Sequence, residues 1–203
     1  MIEVPLERWF GPKGLGIINF PVEAEYVVLN HIRESLGNAS VALIHSKPIS
    51  DDSGQMTLID ATGHEPTARA ALRLRVGDYD NAALRENPAD VQGVLNRLGK
   101  LAESVQVDWW LWWSPSDMIA QGVTDEDVSR LLRIVAKIFS EMRFLVFIAK
   151  DVHTHRGLAT LKYISTTLVD VTRAVNDGQI VDSWHLLKHP TMEFEGEIIE
   201  THR

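Results

Sequence analysis

The sequence predicts an α/β fold: a three-layer domain with a mainly parallel sheet flanked by helices and a β-hairpin near the C-terminus. Three observations point to it. Runs such as Trp109-Trp110-Leu111-Trp112-Trp113 and Phe144-Leu145-Val146-Phe147-Ile148-Ala149 are apolar on both faces, the pattern of parallel strands covered by helices. Segments with apolar residues at helical spacing lie between such runs. Asn176-Asp177-Gly178 separates two strand-like segments and signals a hairpin.

The elements follow in chain order. Gly14 to Phe20 reads as a short buried strand, and Val22 to Leu36 as a helix with Tyr26, Leu29, Ile32, Arg33 and Leu36 at helical spacing, stopped by Gly37-Asn38. Val41 to His45 is a second strand. Met56 to Asp60 is a third, beyond the polar loop Ser50-Asp51-Asp52-Ser53-Gly54. Asn87-Pro88 opens a helix to about Ser104, with Val91, Val94, Leu95, Leu98 and Leu101 on one face. Val107 to Trp113 is a central strand.

Thr124 is a helix cap, followed by the first-turn acids Asp125, Glu126 and Asp127. Val128 to Met142 then places Leu131, Leu132, Val135, Ile138 and Phe139 on one stripe. Phe144 to Ala149 returns as a strand and Gly157 to Ser165 as a short helix. Leu168 to Val175 and Gln179 to Leu187 form the hairpin. Met192 to Glu200 alternates apolar with acidic residues, as an edge strand whose charges discourage pairing, or as a place where a partner docks. No repeat or linker divides the chain, so one domain is expected over residues 1–203.

Composition narrows the function classes. With 203 residues, 45% hydrophobic and 24% charged, the chain can build a full core. A net charge of −8 and a pI near 5.4 repel nucleic acid unless basic residues gather on one face. The gathering to consider is Arg69, Arg73 and Arg75. The absence of cysteine excludes a disulfide, a thiolate nucleophile and a cysteine-ligated metal. No apolar run reaches the roughly 18 residues of a membrane helix, and MIEVPLERWF lacks the features of a signal peptide. A cytoplasmic protein without a cofactor is the expectation.

From Leu6-Glu7-Arg8-Trp9-Phe10-Gly11-Pro12-Lys13-Gly14-Leu15-Gly16 onward, the order of elements resembles the KaiC/RecA-like branch of the P-loop ATPases, in the compact single-domain form common in archaea. The resemblance covers most of the chain and implies a RecA-like domain. It also implies where the chemistry should sit. Laid over Asn19 to Tyr26, the phosphate-loop pattern G-x-x-x-x-G-K-[ST] keeps its spacing and Pro21. Asn19 and Ala24 then take glycine positions, Glu25 the lysine position and Tyr26 that of the magnesium-binding hydroxyl. Without glycines the loop loses conformations that turn backbone N–H groups toward phosphates, and Glu25 sets an anion against a polyanion. At the strand end where the family carries its Walker B acid stands Trp113, with Asp117 four residues later. Lys188-His189-Pro190 aligns with the family's interface Lys-x-Arg, so Lys188 either acts on a neighbouring subunit or is simply solvated.

The resemblance therefore implies a pseudo-ATPase: a non-catalytic binding, regulatory or assembly subunit, working as a homo-oligomer or beside a RecA/KaiC-like paralogue. Glu23 and Glu25 have two readings, as acids favoured by the helix dipole or as a built-in substitute for phosphate. The tryptophans Trp109, Trp110, Trp112 and Trp113 are core, or a base-stacking platform if exposed. Two enzyme readings stay open. One is a metal-dependent enzyme using Asp151, His153 and His155, with Asp117 or His45 completing the ligands; the other is an atypical nucleotide-binding ATPase.

Overall fold

The computed structural model describes residues 4–45, 56–60, 74–76, 79–81, 91–120 and 122–202. A short helix α1 (Leu6–Phe10) leads into β1 (Gly14–Phe20), a single 3-10 turn at Val22–Ala24 and α2 (Glu25–Leu36). β2 (Val41–His45) and β3 (Met56–Asp60) follow, then the small strands β4 (Leu74–Val76) and β5 (Tyr79–Asn81). α3 (Val91–Ser104), β6 (Trp109–Trp113), α4 (Ser116–Ala120), α5 (Asp125–Ile138), β7 (Arg143–Ala149) and α6 (His155–Ile164) build the middle of the chain. β8 (Thr167–Asn176), β9 (Gln179–Lys188) and β10 (Ile198–His202) close it.

Eight strands form one sheet in the order β10-β9-β8-β1-β7-β6-β2-β3, while β4 and β5 pair separately. From β8 to β3 every neighbouring pair is parallel, and β9 runs antiparallel to both its neighbours, β8 and β10. The hairpin turns at Asp177 and Gly178, with φ of 51° and 79°, the left-handed pair that a two-residue turn requires.

Alternation along the central strands feeds two cores. Leu15, Ile17, Trp110, Trp112, Phe144, Val146 and Ile148 face α3, α5 and α6. Ile18, Phe20, Trp109, Leu111, Trp113, Leu145 and Phe147 face α1 and α2. All five residues of β6 are buried, so its tryptophans are core on both faces and offer no exposed stacking platform. Among the described residues, no helix is long and apolar enough to cross a membrane.

Several boundaries differ from the periodic reading. β6 begins at Trp109 and not Val107, because the Asp108 and Trp109 N–H groups donate to the Ser40 carbonyl while the Asp108 carboxylate accepts from the Ser40 N–H and hydroxyl at 2.8 and 2.7 Å. α5 stops at Ile138, ahead of the expected Met142. α6 starts at His155, two residues early, because the Thr154 hydroxyl accepts from the Gly157 N–H at 3.0 Å and so caps it. Asn87-Pro88, Arg69 and Arg73 lie outside the described residues, and of Arg75 only the backbone, in β4, is described.

Candidate functional site

At the C-terminal edge of the parallel strands, β1 passes into α2 where the resemblance places a phosphate loop. Pro21 is extended, with φ −71° and ψ 143°, and the 3-10 turn Val22–Ala24 replaces a wide loop. Ala24 is fully buried in the α2-side core. Tyr26 is 72% exposed. Asn19 is buried at the end of β1, and its side-chain oxygen has no hydrogen-bond partner among the described residues.

Glu25 turns across the strand ends: the buried Trp113 indole donates to its carboxylate, Nε1 to Oε1, at 2.9 Å. The ring lies between two others, stacked on Phe20 with centroids 5.4 Å apart and tilted against Phe147 at 4.5 Å. The residue at the lysine position is thus bonded to the residue at the Walker B position. Asp151, from the loop after β7, accepts the Val22 N–H at 3.0 Å, so a carboxylate already serves a backbone donor of this turn. The carbonyl of Glu23 accepts from Arg173, whose guanidinium also forks onto Asp182 at 2.7 and 2.9 Å. The Asp182 carboxylate holds the Arg173 pKa above its ordinary value despite opposing burial. The hairpin is thereby anchored to the turn.

Lys188 points inward to a helix end. Its ammonium donates to the carbonyls of Lys162 at 3.0 Å, of Tyr163 at 3.4 Å and of Ser165, closing the C-terminus of α6. Burial and nearby Lys162 lower its pKa. Lys150, next to the strand ends, donates to both oxygens of Asp170 at 3.2 and 3.1 Å and to the Val171 carbonyl at 2.8 Å.

Asp151, His153 and His155 do not converge. Asp151 is turned to Val22, His155 is exposed in the first turn of α6, and His153 is held inside. Among the described residues no group of three or more histidine and acidic side chains is placed to hold a metal ion. The His45 side chain lies outside the described set, and Asp117 opens α4 half-buried.

His153 instead joins Ser116 and Asp125, an association that the sequence reading missed. Its Nε2 is 2.9 Å from the Ser116 hydroxyl and its Nδ1 2.7 Å from Asp125 Oδ1. Nucleophile, base and orienting acid would use these contacts, but Ser116 is 1% exposed and the His153 side chain fully buried. The serine oxygen also accepts the Ala149 N–H at 3.0 Å. With both side chains buried, the row ties α4, α5 and the β7–α6 loop together. Burial opposes ionisation of Asp125, but hydrogen bonds from Thr154 and His153 outweigh it and hold its carboxyl below the usual range. Gly157 makes room for that carboxylate, which a Cβ at this position would overlap. The only trace in the sequence is Thr124-Asp125, legible as a cap alone.

No family model and no curated protein matches the chain. Solved structures do. The flagellar accessory protein FlaH from Methanocaldococcus jannaschii is 13% identical, with a TM-score of 0.57 over 100% of this chain and 91% of FlaH. The uncharacterized protein PH0321 from Pyrococcus horikoshii, solved in complex with an unknown peptide, is 9% identical, with a TM-score of 0.61 over 97% of this chain and 96% of its own. The fold is RecA-like: a mainly parallel sheet flanked by helices.

Proposed function

We propose that the chain is a non-catalytic RecA-like domain, a binding, regulatory or assembly subunit that does not bind ATP at the β1–α2 connection. The observation that carries this reading is the Trp113–Glu25 hydrogen bond, set between Phe20 and Phe147. A phosphate site needs backbone N–H groups and a cation facing an open crevice. Here an indole fills the space beside the turn, an acid stands at the lysine position and Asp151 occupies a backbone donor.

Such a domain acts through its surfaces, as a protomer that holds its shape without nucleotide. FlaH is described as an accessory protein and PH0321 was solved with a peptide. A role in holding another chain, whether a second copy or a RecA-like paralogue, is in keeping with both descriptions.

The test is a magnesium-ATP titration of the whole chain followed by backbone amide NMR. The amides of residues 22–26 should stay in place at millimolar nucleotide, on the order of a thousandfold above the affinity of a working phosphate loop. Saturable movement of those amides overturns the reading.

A further inference from the structure

On the other face of the sheet, residues of α5 and α6 line a cleft of about 400 Å³. Arg130 and Arg133 reach it from α5 and Arg156 from the first turn of α6, with Ser129 at its base and Thr160 on its wall. Arg130, Arg133 and Arg156 are all exposed, and none of their guanidinium groups has a hydrogen bond or ion pair among the described residues. In a chain with 28 acidic and 20 basic residues, three unpaired guanidinium groups at one concavity are not accounted for by folding.

Two carboxylates also line the cleft. Asp125 is already engaged by His153 and Thr154, which leaves Glu126 on the exposed rim. Ser129 also lines the cleft but is only 6% exposed; its hydroxyl oxygen is closed off beneath the surface, with no hydrogen-bond partner among the described residues. The Thr160 hydroxyl donates to the Arg156 carbonyl at 3.0 Å and keeps acceptor capacity.

We propose that this cleft is a binding site for a small phosphate-bearing molecule. Guanidinium forks match the oxygens of a phosphoryl group, and they come here from two helices, so the charge of one phosphoryl group can be shared between them. The volume exceeds that of a bare phosphate and lies at the small end of ligand pockets, which suits an organic phosphate. The residues are separate from those of the β1–α2 connection, so either reading can fail alone.

The experiment is an amide NMR titration of the whole chain with inorganic phosphate, pyrophosphate and AMP, on wild type and on Arg133→Gln and Arg156→Gln. Saturable shifts across residues 125–133 and 154–160, stronger with AMP than with phosphate, are expected for an organic ligand. The reverse order, with the shifts still confined to the cleft, assigns the site to free phosphate or pyrophosphate and equally supports it. Each arginine variant should weaken binding by about tenfold. The arginines are exposed, so these variants keep the fold; an unchanged spectrum away from the cleft checks that. The proposal is overturned by no saturable shift at roughly 10 mM of any of the three probes, by affinities unchanged in both arginine variants, or by a response to single-stranded oligonucleotide or acidic peptide alone.

Discussion

Glu25 and Trp113 are 88 positions apart in the chain, yet each completes the other. The indole N–H is buried and its acceptor is a partly buried carboxylate, so removing either half has a distinct cost. Glu25→Ala strands the donor and should destabilise by about 1–3 kcal/mol. Trp113→Phe keeps an aromatic ring and removes only the indole donor from a partly exposed carboxylate that the α2 dipole still favours, so it should cost less than Trp113→Ala, at about 3–5 kcal/mol. Urea midpoints at constant m-value measure all three; equal effects of Phe and Ala would show that the ring contacts contribute little. The sequence shows an acid in a first helical turn and a tryptophan at a strand end. It does not show that they meet, because that depends on β6 and β1 both flanking β7.

The row Ser116–His153–Asp125–Thr154 belongs to the scale of elements, since it fastens α4, α5 and the start of α6 to one another. Its acid has a pKa depressed in the folded state. A depressed carboxyl contributes stability that is present above its unfolded value of about 3.9 and is lost as pH falls from there through the folded value. Wild type should therefore lose stability over that acid range. Asp125→Asn should be less stable near neutrality and show a shallower acid limb, read as the urea midpoint against pH. Parallel curves for the two proteins would remove Asp125 from the linkage. At this scale the sequence was informative where periodicity is strong: the Thr124-capped α5 and the 176–178 turn are where pattern and turn chemistry put them. It was silent on the network, because a histidine two residues past an aspartate looks the same whether it ligates a metal or crosses to another helix.

For the whole molecule, the parallel strands carry two independent cores, and the two candidate regions sit on different parts of this frame. The strand types were legible from burial on both faces, whereas the order that sets β1 between β7 and β8 was not, since pairing is decided in three dimensions. This separation gives a thermal prediction that tests both sites at once. A ligand at about 100 times its dissociation constant stabilises a fold by about 2.7 kcal/mol, or roughly 5–10 °C in a chain of this size. Removing the positive cleft by Arg130→Gln, Arg133→Gln and Arg156→Gln together leaves the β1–α2 connection untouched. In that triple variant magnesium-ATP should leave Tm unchanged, and any rise seen in wild type with AMP should vanish. A Tm rise with magnesium-ATP that survives in the variant would mean nucleotide is bound away from the arginines, and would count against the closed connection between Phe20 and Glu25. A rise with AMP of equal size in both proteins would leave the cleft without a role in phosphate binding.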